Sequence, residues 1–326
     1  MSRAPHDRLL IFGDPNLAFS GVLLAAFLHE LRSRQDMTVV AVCDTARKAP
    51  LVEPWRSSVT WLRHMAQRGF NPSLRGQRAP ASGRRLYQIA RRAGVPVIVP
   101  PERNLNHPQF IARLRNEWRP TLALSLGCLQ IFKPSLLDAF EMAVNFHDGD
   151  LPFYKGLTAT AWSLYHRESH TGYSYHLIDS GLDGGPLLVQ DRIPVRLGDT
   201  PPRIRNEKTQ LAARDANRVL DLMAARSKGT PQQESGSYFS AADRRRICTI
   251  DDPTQLSSEE IQHRLRCFEI LSLPIGGRLC EVTGLTEATS RRSFTTADGV
   301  TLTPHRMLWL PPWLYRLYRR LRVALD

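Results

Sequence analysis

The chain has 326 residues, of which 42% are hydrophobic, so it is long enough for two domains and too apolar to be disordered throughout. No apolar run approaches the roughly 18 residues that a membrane-spanning helix requires, so we expect no membrane span. The 44 basic against 31 acidic side chains give a formal charge of +13, which favours partners such as nucleotides, phosphates, RNA or an anionic membrane surface.

The cysteines and the N-terminal residues indicate the cellular compartment. Five cysteines are scattered along the chain and never stand in CxxC spacing. This pattern predicts reduced thiols, with neither a disulfide framework nor a zinc site. The first residues lead directly into an apolar strand without a secretory hydrophobic region, so we expect a cytoplasmic protein.

Short apolar runs alternate with amphipathic ones along the first half of the chain. The predicted strands are residues 8–12, 38–43, 95–99, 122–126 and 142–146. The predicted helices are residues 16–34, 61–67, 84–93, 107–118 and 134–140. Because strands alternate with helices, the pattern predicts an α/β fold with a doubly wound, mostly parallel sheet.

The second half continues this pattern as far as residue 226 and then changes. The predicted helices are residues 158–166 and 203–225, and the predicted strands are residues 173–178 and 186–195. Residues 227–240 are rich in Gly, Ser, Pro and Gln, which is typical of a linker. We therefore predict a first domain of residues 1–226, a linker of residues 227–240 and a smaller C-terminal α+β module of residues 241–326.

Within the predicted module, Ser257 and Glu260 form the pattern of a capping box that begins a helix ending at residue 270. Strands are predicted at residues 278–283 and 300–304. Residues 313–325 are predicted to form a basic helix that packs on the module, although contact with RNA or a membrane surface is left open.

An arginine-rich segment lies between Glu53 and Glu102, where no acidic residue occurs. It is either a solvated surface or a contact surface for a polyanion. Its arginines are Arg56, Arg63, Arg68, Arg75, Arg78, Arg84, Arg85, Arg91 and Arg92.

Residues 144–190 carry the candidate active site. Asn145 and His147 stand two apart at the end of a predicted strand, so their side chains share one face. Asp183 precedes two glycines that allow a sharp turn toward a neighbouring strand end. Since ligands of such sheets bind at the carboxyl ends of strands, we predict that these three side chains meet in one cleft. The alternative is a purely structural role, in which Asn145 and His147 form a turn or a hydrogen-bonded polar pair.

A metal site is the other interpretation of this region. The candidate ligands are close in sequence, but their spacing matches no compact ligand pattern such as HExxH. They are His147, Asp148, Asp150, His166, His170 and His176. We therefore predict no metal.

Three ordered blocks in this region resemble the family of glycinamide ribonucleotide, methionyl-tRNA and sugar-nucleotide formyltransferases. The family signature is N-x-H, then L-P-x-x-x-G, then L-D-x-G-P. Residues 145–147 (NFH), 151–156 (LPFYKG) and 182–186 (LDGGP) match it in order. The resemblance covers residues 8–200 and implies the formyltransferase fold, with 10-formyltetrahydrofolate as cosubstrate and no metal.

The resemblance also implies roles for individual residues. Asn145 and His147, the latter as an imidazolium, would stabilise the oxyanion of formyl transfer. Asp183 would raise the imidazole pKa and handle protons. The backbone of residues 127–132 and 179–183 would grip the pterin. The cofactor-binding residues implied in this way are Gly127, Cys128, Leu129, Gln130, Ile131, Phe132, Asp179 and Leu182.

The acceptor is the point at which the sequence departs from the family. Asp148, Gly149 and Asp150 follow His147, where many family members have Pro-Ser-Leu. We favour a small primary amine that is free or phosphorylated, either an amino-sugar nucleotide or an amino-acid-derived intermediate. Methionyl-tRNA is the close alternative, because the arginine-rich segment falls where that enzyme carries a basic tRNA-binding loop. A non-catalytic RNA- or membrane-binding module is the third hypothesis, and the oligomeric state is left open.

Overall fold

A computed structural model of the chain describes residues 6–46, 82–179, 181–233, 236–275 and 278–308. The predicted helices at residues 61–67 and 313–325 lie outside the described residues, as do Arg56, Arg63, Arg68, Arg75 and Arg78. No helix in the described part of the chain is long and apolar enough to cross a membrane.

A seven-stranded sheet forms the centre of the molecule. Its spatial order is β3-β2-β1-β4-β5-β7-β8, and the first five strands of this order are parallel. The last two strands are antiparallel to their neighbours. The first eight strands of the chain are β1 (Asp7–Gly13), β2 (Met37–Asp44), β3 (Val97–Ile98), β4 (Leu122–Leu126), β5 (Met142–His147), β6 (Lys155–Gly156), β7 (His170–Leu177) and β8 (Leu187–Pro194).

Helices cover both faces of this sheet, as predicted for a doubly wound fold. Along β1, Leu9 and Ile11 face one apolar cluster, whereas Leu10 and Phe12 face another. This alternation has the period of two that a strand imposes, and all four side chains are fully buried. The helices are α1 (Ala18–Glu30), α2 (Ser82–Arg92), α3 (Pro108–Arg113), α4 (Pro134–Leu137), α5 (Ala159–Tyr165), α6 (Pro201–Arg214) and α7 (Ala216–Ala224).

Two predicted helices differ from the observed ones. The predicted helix at residues 203–225 is divided into α6 and α7 at Asp215, whose φ of −81° and ψ of 0° leave the helical region. The Asp215 carboxylate accepts a hydrogen bond from the Tyr173 hydroxyl at 2.5 Å. The predicted helix at residues 107–118 begins as α3 and continues as a π-helical turn over Leu114–Trp118.

The C-terminal module contains a separate antiparallel sheet. Its order is β10-β11-β13-β12, and two of its strands, β10 and β12, were not predicted. Helix α9 has the predicted N-cap, because the Ser257 side chain accepts from the Glu260 N–H at 3.2 Å. The elements are β9 (Tyr238–Phe239), α8 (Ala241–Cys248), α9 (Ser258–Phe268), β10 (Leu271–Ile275), β11 (Arg278–Glu287), β12 (Phe294–Thr295) and β13 (Thr301–Leu308).

The module shares an apolar core with the first part of the chain. Trp162 of α5 stacks on Phe239 of β9 at a centroid distance of 4.4 Å, and it meets Phe268 of α9 edge-on at 4.9 Å. Ile204 of α6 belongs to the same buried cluster. The two parts therefore pack on each other through buried side chains, and the domain boundaries that we drew stay a prediction.

The predicted linker, residues 227–240, is hydrogen bonded to the first domain. Strand β9 pairs in parallel with β6, and the Lys155 N–H donates to the Ser237 carbonyl at 2.8 Å. The Tyr154 N–H donates to the Ser237 hydroxyl at 3.0 Å. A segment with the composition of a flexible connector thus lies against the loop that follows β5.

Candidate active site

Asn145 and His147 lie at the carboxyl end of β5, where the fold predicts a ligand site. In the antiparallel pairing with β7, Asn145 stands opposite His176. The Asn145 Nδ2 atom lies 3.1 Å from His176 Nε2. His176 Nδ1 donates to the Leu177 carbonyl at 2.8 Å, which leaves Nε2 facing the Asn145 amide. His176 thereby fixes the orientation of Asn145.

Asp183 reaches the same point from the loop between β7 and β8. Its carboxylate Oδ2 accepts from the Gly156 N–H at 2.8 Å and lies 3.5 Å from His147 Nδ1. Its Oδ1 lies 3.5 Å from His176 Nε2. Asp183 has a φ of +50°, a backbone conformation that a non-glycine residue rarely adopts and that occurs often at functional sites. The three predicted side chains therefore converge.

Two glycines make this convergence sterically possible. Gly156 has a φ of +87°, and a Cβ there would lie 2.4 Å from the Phe239 carbonyl oxygen. A Cβ at Gly149 would lie 2.5 Å from His147 Nε2. The first glycine lets its N–H approach the Asp183 carboxylate, and the second leaves room for the imidazole ring.

The hydrogen bonds assign the tautomer of His147. Its Nε2 lies 2.8 Å from the Tyr154 carbonyl oxygen, which can only accept, so Nε2 carries the proton. The unprotonated Nδ1 then faces the Asp183 carboxylate. A proton taken up at Nδ1 would lie between the ring and an anion, while Nε2 keeps its own partner.

The charges of this pair follow from burial and from mutual attraction. Burial lowers the pKa of His147, and the opposing effect of the Asp183 carboxylate does not restore it. Burial also raises the pKa of Asp183, but His147, His176 and the Gly156 N–H together hold that pKa below its usual range. Asp183 is therefore a carboxylate and His147 a neutral imidazole at neutral pH, which differs from the imidazolium that we expected.

Two further groups hold the loops of the site, and sequence reasoning missed both. Gln232 Nε2 donates to the carbonyls of Asp183 and Gly185 at 3.0 and 2.8 Å. Lys208, fully buried on α6, forms an ion pair of 2.8 Å with Asp148, the residue after His147. Gln232 lies in a segment that has the composition of a linker, so its contact with the site could not be expected from the sequence. Lys208 stands on the apolar stripe of a helix, where a charge is a detectable signal.

A cavity of about 620 Å³ lies against Asn145, His147 and Asp183. One wall contains all the residues for which we predicted cofactor contacts, from Gly127 to Phe132 together with Asp179 and Leu182. Leu129, Ile131 and Leu182 are about half exposed, which is typical of a surface that receives an apolar ligand.

Within this wall, the amide group of the Gln130 side chain is hydrogen bonded to the protein backbone. Its Nε2 donates to the carbonyls of Thr45 and Arg103 at 2.8 and 3.0 Å. Its Oε1 accepts from the Leu105 N–H at 3.1 Å. The Gln130 amide therefore fixes the loop, and the loop offers a ligand its backbone and apolar side chains.

A second part of the lining, called here the opposite wall, comes from α6 and from residues after 237. It combines cationic, aromatic and small polar side chains, so it differs in character from the apolar wall. Its residues include Arg205, Tyr238, Arg244, Arg245, Cys248, Thr249, Ser272 and Glu281. Among the described residues, no group of three or more His, Cys, Asp or Glu side chains is arranged to hold a metal ion, and the absence of a metal stays a prediction.

Comparisons with known proteins find similarity to formyltransferases. A sequence model of the family described as formyl transferase matches residues 76–219. Methionyl-tRNA formyltransferase of Trichlorobacter lovleyi is 29% identical over 170 residues, which are 52% of each chain. GDP-perosamine N-formyltransferase of Brucella melitensis is 33% identical over 97 residues, 30% of this chain and 38% of that one. The chain thus spans about half or less of the length of these curated relatives.

A solved structure extends the similarity of fold to the C-terminal module. The N-formyltransferase of Helicobacter canadensis, crystallised with folinic acid and dTDP-3-aminofucose, superposes with a TM-score of 0.54. The match covers 93% of this chain and all of that one at 18% identity. The architecture of both parts is therefore shared with a known enzyme structure.

Proposed function

We propose that the chain is a formyltransferase that transfers the formyl group of 10-formyltetrahydrofolate to a primary amine of a small acceptor. The formyl transferase model that matches residues 76–219 and the similarity to named formyltransferases support this proposal. The observation that carries this proposal is the convergence of Asn145, His147 and Asp183 on one cavity of about 620 Å³. No metal takes part in the proposed reaction.

The reaction begins with attack of the unprotonated amine on the formyl carbon. The new C–N bond forms while the carbonyl electron pair moves to oxygen, which gives a tetrahedral oxyanion. One amide hydrogen of Asn145 is directed to His176, and its second hydrogen is the donor that we assign to the oxyanion. Collapse of this intermediate re-forms the carbonyl, breaks the bond to the folate nitrogen and leaves an N-formyl product.

His147 and Asp183 handle the proton that the attacking amine must lose. Both imidazole nitrogens face acceptors, Nε2 the Tyr154 carbonyl and Nδ1 the Asp183 carboxylate. The geometry therefore favours uptake of the proton at Nδ1, directly or through water, since the resulting imidazolium would be stabilised on both sides. Transfer of this proton to the departing folate nitrogen completes the cycle.

We assign a different substrate to each of the two walls of the cavity. The apolar wall at residues 127–132 suits a flat heteroaromatic ring, which supports our assignment of the pterin to it. The opposite wall offers the guanidinium groups of Arg205 and Arg244, which favour an acceptor with a phosphate or carboxylate group. Arg205 is half exposed and paired with Glu269 at 3.1 Å, a surface pair weak enough to be exchanged for a ligand.

The position of this second wall also supports a small acceptor. Residues of α6, α8, β10 and β11 line the same cavity as Asn145, so we propose that the acceptor amine binds among them. An amino-sugar nucleotide or an amino-acid-derived amine fits that description. Methionyl-tRNA is the second candidate, supported by relatives that carry this name and by the net charge of +13.

Turnover of 10-formyltetrahydrofolate against a panel of amines tests the proposal. The panel holds amino-sugar nucleotides, amino acids and methionyl-tRNA, with release of tetrahydrofolate followed by absorbance. We expect one amine to support turnover, and Asn145→Ala to lower kcat by about a hundredfold or more, the cost of one oxyanion donor. Asp183→Asn should be similarly impaired, whereas Asp191→Asn, an exposed aspartate on β8, is the matched control and should keep full activity.

The outcomes separate the hypotheses. Folate binding without turnover on any of these amines would mean that the acceptor class is wrong. A chain that binds RNA or vesicles but neither folate nor amine would be the non-catalytic module, and the proposed reaction would then be excluded.

A further inference from the structure

Asp148, the residue after His147, is anchored by a lysine that has no contact with solvent. Lys208 Nζ lies 2.8 Å from Asp148 Oδ1 and donates to the Asp148 carbonyl at 3.1 Å, while its side chain is 0% exposed. The other carboxylate oxygen, Oδ2, accepts from the Thr160 hydroxyl at 2.7 Å. Both carboxylate oxygens of Asp148 are therefore used inside the protein.

The position of Lys208 on α6 is unexpected for a charged residue. Ile204 and Ala212, four residues before and after it, are fully buried on the same helix face, so Lys208 interrupts an apolar stripe. Replacement of a buried ion pair by apolar side chains is often neutral or stabilising. Stability of the fold alone therefore does not account for this pair.

The loop after His147 is held at successive residues, and Lys208 supplies the contact from the helix layer. The Ser174 hydroxyl donates to the Gly149 carbonyl at 2.9 Å and accepts from the Leu151 N–H at 3.2 Å. Asp150 pairs with Arg192 at 2.8 Å. Because a Cβ at Gly149 would lie 2.5 Å from His147 Nε2, the path of this backbone determines where the imidazole ring can lie.

We propose that Asp148 and Lys208 are positioning residues for formyl transfer. The ion pair fixes the backbone directly after His147, so that Nε2 keeps its hydrogen bond to Tyr154 and Nδ1 keeps facing Asp183. Lys208 has no surface to offer a substrate and acts through Asp148. The catalytic part of this inference rests on the proposed function, whereas the positioning of the ring does not.

Several charged groups face His147 and the Asp148–Lys208 pair. His147 is faced by Asp183, His176 and Asp148. Lys208 is faced by Asp148 and Asp150 and, with opposite effect, by Arg205. Burial lowers the pKa of Lys208, and the Asp148 carboxylate opposes that shift. When Asp148 and Lys208 are both replaced by uncharged residues, neither position leaves an unpaired charge in the core.

The test compares Asp148→Asn, Lys208→Met and the double variant. We expect the double variant to fold with a Tm close to that of the wild type, while its kcat falls about tenfold to a hundredfold, the effect of a small misplacement of a reacting group. The KM for the folate donor should change less than about twofold, since uniform binding is untouched. In parallel, NMR follows the His147 Nε2–H, whose exchange with solvent should be about tenfold faster in the double variant.

A second ion pair supplies the control. Asp7 and Arg226 pair at 2.6 Å at the amino end of β1, the opposite end of the strand from the site. Asp7→Asn with Arg226→Met should lower the Tm but leave kcat and the His147 exchange rate unchanged.

Unaltered kcat and unaltered His147 exchange in Asp148→Asn/Lys208→Met would overturn the inference, because the pair would then be structural only. If the double variant does not fold, Asp148→Asn supplies both readouts, since it keeps the shape of the side chain. Absence of formyl transfer in the wild type would refute the proposed function, while the exchange measurement would still decide whether the pair positions His147.

Discussion

At the scale of single residues, some of the side chains that meet in the site could be predicted from the sequence and others could not. Asn145, His147 and Asp183 could be predicted because strand periodicity and a glycine turn place them at one sheet edge. His176 could not, since its contact with Asn145 depends on the antiparallel register of β7. Lys208 is separated from Asp148 by 60 residues, and only the packing of α6 brings the two together.

Gly149→Ala tests the space that the imidazole of His147 needs. A Cβ at this position would lie 2.5 Å from His147 Nε2 and 2.8 Å from the Ala159 Cβ. We expect kcat to fall at least about tenfold and the free energy of unfolding to decrease by about 1–3 kcal/mol, as for other overpacked sites. Denaturant unfolding and turnover measure the two effects.

Gly21→Ala in α1 is the matched control for this substitution. The nearest atom to a Cβ there is 3.7 Å away, and alanine stabilises a helix interior by about 0.5–1 kcal/mol relative to glycine. Full activity and unchanged stability of Gly149→Ala would show that the loop yields to the extra methyl group.

The lowered pKa of His147 predicts how stability changes with pH. Below the ordinary histidine pKa of about 6.5, the unfolded chain binds a proton that the folded chain does not yet bind. The free energy of unfolding should therefore fall as pH decreases from about 7 toward the pKa of the folded state, by at most about 1.4 kcal/mol per pH unit from this group.

Urea unfolding at several pH values, with wild type and His147→Gln, measures this effect. The variant should lose part of the pH dependence, because glutamine does not titrate. An identical pH dependence of the two proteins would contradict the assignment of a buried neutral imidazole.

At the scale of elements, predictions were accurate where local pattern decides the outcome. Strand β4 has the predicted bounds, Leu122–Leu126, because its continuous apolar run is the pattern of a strand buried on both faces. The break between α6 and α7 was missed, since it coincides with the contact of Asp215 and Tyr173 across the fold. Strand β12 is two residues long and gives too little pattern to detect.

Composition was a poor guide to residues 227–240. Gln232 from this segment donates to two carbonyls of the Asp183 loop, one of which belongs to a residue with a φ of +50°. We expect Gln232→Ala to lower kcat about tenfold by releasing this loop, with a loss of stability of about 1–3 kcal/mol from the two unsatisfied carbonyls.

Gln210→Ala, a glutamine on the exposed side of α6, is the control for that substitution and should behave as the wild type. A stability loss in Gln232→Ala without any change in kcat would show that the segment supports the fold but not the position of Asp183.

At the scale of the whole molecule, the doubly wound, mostly parallel sheet and the presence of a second module were predicted, whereas the strand order and the cavity lined by both parts were not. The reason is that its far wall is built by α6, α8, β10 and β11, which come from stretches up to about 80 residues apart in sequence. Sequence periodicity describes single elements and contains no information on how two modules pack.

The overall charge of +13 leads to a prediction that distinguishes the two acceptor classes. A small nucleotide contacts few cations, so its KM should rise only modestly between 50 and 200 mM salt. Methionyl-tRNA held by several phosphate contacts should lose about a thousandfold in affinity over the same range. Acceptor titrations at four salt concentrations measure the slope, and a steep slope for the preferred acceptor would favour the tRNA alternative.

The two walls of the cavity also separate the chain into regions that can be changed independently. The predicted folate wall comes from residues 127–132 and 179–183, and most of the opposite wall comes from residues after 237. A recombinant in which the stretch after residue 237 is exchanged for that of a relative should therefore inherit a new acceptor while it retains its formyl donor. For enzyme engineering, the two parts of such a recombinant should be joined near β9.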